Sequence, residues 1–364
     1  MTVTTSATPS APTIGPDPRV RSTAIMVLAL LAITAAAIAV SLWWGTGSVR
    51  LTPARVWAAL FDGDEADRVD AVAAESRLVR ATMSVLVGAA LASAGALLQT
   101  LYRNPLASPE ITGVTQGSIV AVVMWLVYGP FEPDAAVWVL PLVGAVGGLA
   151  TGLLTYGISR LGGRVDPLRL VLIGVLLGGL LSSLIALALI SADGVGLELV
   201  SWTVGSLQSA TWARVRILVI ALLVCLPLTV LAIPYGNALA LGDDIAQGTG
   251  ITVGRARGLV LLAAASLTAA AVSLVGGIGF VGLVGPHLVR RRTGADLRRL
   301  LPASAVAGAL LVVIADFTSR NFRPGDLAAR LGVADEIASI TLPTGIFLAL
   351  IGAPFFIHLL RRSP

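Results

Sequence analysis

Residues that could carry out chemistry are few in this chain. It has one cysteine, Cys225, and two histidines, His287 and His358, which is too few for a Cys/His zinc or haem site. It contains no lysine: all 25 basic residues are arginine, so a phosphate-binding G-x-x-x-x-G-K-[ST] loop cannot be built. No nucleophile–base pair and no pair of carboxylates in one cleft can be picked out. The sequence therefore predicts no catalysis, metal or cofactor in this chain.

The composition is that of a membrane protein. Hydrophobic residues make up 56% of the chain and charged residues only 12%, which is too little charge for a soluble domain. The net charge is +5, but the arginines stand at the ends of apolar stretches rather than in one patch, which argues against nucleic acid as a partner. We therefore predict one all-α polytopic domain over residues 24–362, embedded in a lipid bilayer.

Residues 1–23 are rich in Ser, Thr, Pro and Ala, which predicts a disordered cytoplasmic tail. A secretory signal peptide is the alternative. The apolar region of a signal peptide is usually about 7–15 residues long, and the first apolar stretch here is longer. We therefore interpret that stretch as a retained first helix.

Ten apolar stretches predict membrane spans, since a helix needs about 20 apolar residues to cross about 30 Å of hydrocarbon. Gly277–Val289 is short and rich in glycine, but the run 256–289 is too long for one helix. The predicted spans are Ala24–Trp44, Ala81–Leu101, Ile111–Tyr128, Ala136–Ser159, Leu168–Ala192, Val215–Ile233, Ala256–Val275, Gly277–Val289, Leu301–Ser319 and Leu342–Leu360.

The distribution of charge predicts both the orientation and the source of energy. An even number of spans places both termini on one side, and the arginine cluster of Arg290–Arg292 with Arg298 and Arg299 makes that side the cytoplasm. Transporters driven by ion gradients usually keep carboxylates or histidines within the membrane, and here only Asp316 comes close. The pattern favours a pathway powered by another subunit. A secondary transporter working alone and a membrane-embedded enzyme stay open as alternatives.

Three stretches are more specific than crossing a membrane requires. They are Arg77-Leu-Val-Arg80 with 87–109, then Ala240–Ile251, and then Gly279–Arg290 with Leu342–Gly345 and Ile351–Phe356. In this order, from Arg77 to Arg362, they resemble the FecCD-type permeases of ABC importers for ferric siderophores, haem and vitamin B12.

The resemblance implies a fold and a set of partners. It implies the type II ABC importer permease fold, with about ten helices arranged as inverted repeats, in the inner membrane of a bacterium. The implied partners are a second permease chain, identical or related, two cytoplasmic ABC ATPase subunits that bind ATP and Mg²⁺, and an extracytoplasmic substrate-binding protein. The implied cargo is a ferric siderophore or related chelate, with haem and cobalamin as alternatives.

Residues 237–257, the coupling segment, are too polar to lie in lipid. Gly242, Gly248 and Gly250 predict that it breaks into two short helices, and Asp243 and Asp244 suit the positive start of the first. From the residues alone it is either a coupling element or an ordinary capped loop. The resemblance implies contact with the ATPase over 239–251, through Leu239, Leu241, Gly242, Asp243, Asp244, Ile245, Ala246, Gly250 and Ile251.

Arg77, Arg80 and Arg320 stand at predicted outer helix ends. From the residues alone, the first two are interfacial arginines that reach toward water, and Arg320 can pair with Asp316 four residues earlier. The resemblance implies that all three dock the binding protein through its glutamates. Val79 stands where the family pattern has proline. The role of the outer loop 321–341 is undecided by the sequence.

Two proline-containing turns lie at the predicted inner face. Asn104-Pro105-Leu106 ends the second span and Pro167-Leu168 begins the fifth, since proline cannot continue a helix. The resemblance implies that they narrow the pathway, with Asn104, Leu106, Pro167 and Leu168 as gate residues; helix-end packing is the alternative for each. Predicted pathway-lining residues are Gln99, Thr115 and Gln116.

Overall fold

The computed structural model describes residues 18–44, 51–61, 68–130, 133–161, 165–191, 202–322 and 342–362. Within these ranges the structure is helical, with one 3₁₀ turn at Pro109–Thr112 and no strand. The α-helices are α1 (Pro18–Trp43), α2 (Pro53–Phe61), α3 (Arg68–Leu101), α4 (Val114–Tyr128), α5 (Pro133–Arg160), α6 (Pro167–Ser191), α7 (Trp212–Ala240), α8 (Asp243–Gly248), α9 (Val253–Val275), α10 (Val281–Thr293), α11 (Leu297–Asn321) and α12 (Thr344–Arg362).

The predicted all-α polytopic fold is confirmed. Each of the ten predicted spans overlaps one helix, and α1, α3, α5, α6, α7, α9 and α11 are long and apolar enough to cross a membrane. Helices α4 and α12 are shorter apolar helices. The predicted division of the run 256–289 is also confirmed, because α9 ends at Val275, Gly276 has φ +77°, and α10 starts at Val281. With 13 residues, α10 is only about 20 Å long.

Two predicted spans begin later in the sequence than the helices that correspond to them. Helix α1 begins at Pro18, so the end of the predicted tail, 18–23, is helical; residues 1–17 lie outside the described ranges. Helix α3 begins at Arg68 rather than at Ala81, so the polar residues before the second predicted span are also helical. Asp70 is buried there and pairs (Nε–Oδ2 2.5 Å) with Arg55 of α2, a helix that the sequence did not predict. An ion-paired carboxylate can be buried where an isolated one cannot, which is why this polar stretch continues the helix.

Helix α3 lies at the centre of the described bundle and packs against α9, α10 and α11. At two places the backbones themselves touch. A β-carbon on Gly95 of α3 would lie 1.8 Å from the carbonyl oxygen of Gly282 in α10, and one on Gly88 would lie 2.3 Å from that of Gly308 in α11. Small residues permit this approach, which matters because lipid gives helices no hydrophobic reason to associate.

The contact between Gly95 and Gly282 gives a testable prediction. Gly95→Ala should lower the midpoint of thermal unfolding in detergent, because overpacking of this kind costs about 1–3 kcal/mol. Gly157→Ala in α5 is the matched control, since a β-carbon there meets nothing within 4 Å. If Gly95→Ala unfolded at or above the temperature of the control, the backbone contact would not be as close as described.

Candidate functional site

The coupling segment contains one short helix rather than the two that were predicted. Helix α7 runs to Ala240, α8 spans Asp243–Gly248, and the residues from Val253 onward are the first turns of the long helix α9. Gly242 (φ +116°) precedes α8 and Gly250 (φ +82°) follows it. These two glycines permit the sharp turns that separate α8 from its neighbours, since other residues rarely adopt positive φ.

Helix α8 and the residue before its N-cap, Leu241, present an apolar surface at the end of the bundle. The side chain of Leu241 is 66% exposed and that of Ile245 is 54% exposed, although both are large and apolar. Asp244 is exposed beside them. Two other predicted ATPase contacts, Leu239 and Ala246, are buried within the chain itself. The predicted set thus divides into residues that face outward and residues that anchor α8.

Asp243 holds α8 to two other parts of the bundle. Its carboxylate accepts from Arg103 (Nη2–Oδ1 2.9 Å), which follows α3, and from Arg257 (Nη2–Oδ2 2.7 Å), which lies in α9. Arg257 also donates through Nη1 to the backbone carbonyl of Val165, just before α6. We call Asp243, Arg103 and Arg257 the Asp243 cluster. The two arginines were not predicted as site residues, because nothing in the sequence pairs positions 103 and 257.

The two predicted gate turns have the same construction. The side-chain oxygen of Asn104 accepts from the backbone N–H of Leu106 (2.9 Å), and that of Asp166 accepts from the backbone N–H of Leu168 (3.0 Å). Each is an Asx turn around a proline. Asp166 was not predicted as a gate residue, although the Asn/Asp-Pro-Leu pattern that the two segments share indicates it. Asn104 and Leu168 are exposed, and their gating role stays a prediction.

The end of α3 has an unusual backbone. Arg103 has φ +50°, in the left-handed region that favours glycine. The N–H of Arg103 donates to the carbonyl of Thr100 (3.3 Å) and that of Asn104 to the carbonyl of Gln99 (3.1 Å), which is a Schellman helix end. This geometry aims the chain directly into the first gate turn.

The predicted pathway residues are not equivalent. Gln99 is buried and donates to the carbonyls of Gly282 (3.3 Å) and Leu283 (3.2 Å) in α10, while its carbonyl accepts from Arg290 (3.2 Å). Its amide therefore joins α3 to α10. Thr115 is buried on α4, and Gln116 faces Gly178 of α6. Their role as pathway residues stays a prediction.

One carboxylate near the middle of the bundle was missed by the sequence analysis. Glu110 lies in the 3₁₀ turn Pro109–Thr112, which packs among α3, α6 and α9. Its Oε1 lies beside Gly279, two residues before α10: a β-carbon built on Gly279 would be 3.6 Å from it. A carboxylate at the start of a helix is stabilised by the helix dipole, which gives Glu110 a structural role at the start of α10.

The three predicted docking arginines lie at the opposite end of α3 and α11. Arg77 donates to the carbonyls of Leu42 (2.8 Å) and Trp43 (3.2 Å) at the end of α1. Arg80 (2.6 Å) and Arg320 (3.0 Å) both pair with the buried carboxylate of Asp316. The pair that the sequence offered as the alternative explanation of Arg320 is therefore present, and docking stays a prediction.

Val79 does not interrupt α3, and its side chain is buried. The absence of the family's proline therefore leaves a continuous helix through Arg77 and Arg80. The outer loop falls almost entirely on residues 323–341, outside the described ranges. Among the described residues, no group of three His, Cys, Asp or Glu side chains is placed to hold a metal ion.

Known proteins share both the sequence and the architecture of this chain. Residues 28–362 match the FecCD transport family. The chain is 34% identical over 339 residues to the Fe(3+)-citrate import system permease protein YfmE of Bacillus subtilis, covering 93% of this chain and 94% of that protein. It is 38% identical over 288 residues to the Fe(3+) dicitrate transport system permease protein FecD of Escherichia coli, covering 79% and 84%.

A solved structure described as an inward-facing conformation of a metal-chelate type ABC transporter is similar with a TM-score of 0.75 and 27% identity, covering 93% of this chain and 99% of that one. The resemblance found in the three sequence blocks is thereby confirmed. The chain belongs to the FecCD transport family.

Proposed function

We propose that this chain is the membrane-spanning permease subunit of an ABC importer that brings a ferric siderophore or related metal chelate into the cytoplasm. The observation that carries the proposal is the exposure of Leu241, just before α8, and Ile245, within α8, on a helix that Asp243 connects to the residues before both gate turns. A partner subunit that moves the permease must bind an exposed surface of this kind.

The exposed side chains of Leu241 and Ile245 support an ATPase as that neighbour. Large apolar groups exposed next to polar residues mark interaction sites, and α8 is too polar to be covered by lipid. Each of two ATPase subunits would bind ATP and Mg²⁺ and hold one α8, so the importer would contain two permease chains. Family membership supports this composition.

The orientation proposed from the arginines agrees with this arrangement. Arg290–Arg292 lie in the last turn of α10, at the same end of the bundle as α8, since Arg290 contacts Gln99 near the end of α3. Arginine-rich ends of spans favour the cytoplasm. Both termini would then be cytoplasmic, and Arg77, Arg80 and Arg320 would face the side from which a binding protein delivers its cargo.

The cargo is proposed from the relatives. The two permeases compared above are named for Fe(3+)-citrate and Fe(3+) dicitrate, and the similar structure is of a metal-chelate type transporter. All three names specify a chelated metal as cargo.

Uptake into proteoliposomes tests the function. With the permease, its ATPase and its binding protein reconstituted, uptake of an iron-loaded siderophore should require ATP and should continue after ionophores collapse the ion gradients. Haem and cobalamin are competing cargoes in the same assay. Uptake by the chain alone, driven by a proton or sodium gradient, would contradict the proposal.

Binding of the ATPase to α8 gives a second prediction. Replacing Leu241 and Ile245 together by aspartate should weaken ATPase binding at least about tenfold, because burying either side chain contributes about 1.5–3 kcal/mol and about 1.4 kcal/mol is tenfold in affinity. Leu161→Asp is the matched control, since Leu161 is also highly exposed and follows α5. Equal loss of affinity in the control would show that α8 is not the binding surface.

A further inference from the structure

We propose that Asp243 is the positioning residue that carries the movement of α8 to both gate turns. The inference rests on the proposed function and adds a physical route from the ATPase-facing helix to the two turns. The route consists of one carboxylate, two guanidinium groups and one backbone carbonyl.

The Asp243 cluster has two arms: one is the side chain of Arg103, and the other is the side chain of Arg257 with the carbonyl of Val165. The two arms end at equivalent places. Arg103 is the residue immediately before Asn104, which opens the first turn. Val165, whose carbonyl accepts from Arg257, is the residue immediately before Asp166, which opens the second turn. A displacement of Asp243 therefore pulls on the chain one residue ahead of each turn. If Asp243 only stabilised α8, its two arms would not need to end at the residues that precede the two turns.

The backbone of Arg103 supports a directed role for its side chain. A non-glycine residue at φ +50° is disfavoured, and glycine would end α3 at no such cost. Glycine has no guanidinium, however, and could not reach Asp243. The ion pair with Asp243 therefore explains why position 103 is an arginine, which the geometry of the helix end alone does not explain.

The two arms differ in their exposure to water. The side chain of Arg257 is 6% exposed, whereas those of Arg103 and Asp243 are 42% and 37% exposed. A buried guanidinium that loses its partner is strongly penalised, while an exposed ion pair breaks at little cost. Arg257 therefore keeps the second turn attached to α8, and the Arg103 arm makes and breaks during the transport cycle.

Transport per ATP hydrolysed is the measurement that tests this role. In the complete complex, Asp243→Asn should move at least about fivefold less substrate for each ATP hydrolysed, a ratio that already corrects for any change in ATPase binding or in the rate of hydrolysis. Asp243→Glu, which keeps the charge, should restore most of the coupling. Asp244→Asn removes the same charge one position later, and the inference requires it to lose much less coupling than Asp243→Asn.

Arg103→Gln separates coupling from folding. It removes only the exposed arm and leaves Arg257 paired, so the complex should assemble even if Asp243→Asn does not. Because both residues act through one ion pair, the coupling lost in the double variant Asp243→Asn/Arg103→Gln should be no greater than in Asp243→Asn alone. Additive losses would overturn the inference.

A spin label reports the two arms independently. Cys225 is the single cysteine of the chain, so Cys225→Ser gives a background in which Leu106→Cys or Leu168→Cys carries one nitroxide. ATP should change the line shape at both sites, and Arg103→Gln should abolish the change at position 106 but not at 168. If coupling and line shapes were unchanged in both Arg103→Gln and Asp243→Asn, the inference would be overturned, while ATP-dependent uptake by the wild type would still support the proposed function.

If the wild type itself showed no ATP-dependent uptake, the proposed function would be overturned instead.

Discussion

Helices inside a bilayer have no hydrophobic driving force to associate, because lipid tails are as apolar as their side chains. Their association therefore depends on how closely their backbones approach. In this chain that approach is set by glycines at the centre of the bundle. Gly95 and Gly88 of α3 face Gly282 of α10 and Gly308 of α11 across distances that leave no room for a β-carbon. The close packing of α3 fixes the positions of both of its ends, and both ends carry the charged clusters from which the function is inferred.

The charged clusters at the two ends are built differently. At one end, Asp316 is buried between Arg80 and Arg320, so its charge is enclosed by two partners that belong to the same chain. At the other end, Asp243 is over a third exposed, and only one of its two arginines is buried. A fully enclosed cluster favours rigidity, and a half-exposed one permits rearrangement. This difference agrees with a bundle that is moved at the α8 end.

Much of the fold could be predicted from hydrophobic patterning, because an apolar stretch of sufficient length can form few structures in a membrane other than a spanning helix. The ten spans and the break before α10 follow from stretch length and from Gly276–Gly279. The patterning could not place the start of α3, since burial of Asp70 depends on Arg55, which lies on another helix. It could not find the Asp243 cluster either, because positions 103, 165, 243 and 257 meet only after α3, α6, α8 and α9 have packed. Local turn chemistry, in contrast, was readable: the glycines at 242 and 250 do turn the chain around α8.

If an ATPase moves this permease through α8, the ATPase must contact the side chains that α8 exposes. Site-specific photocross-linking from position 245 within the assembled complex tests this contact, with position 161, an even more exposed leucine after α5, as the comparison site. We expect a cross-link between position 245 and the ATPase, and little or none from position 161. An intact, ATP-hydrolysing complex that cross-links from position 161 but not from position 245 would show that the ATPase does not bind at α8.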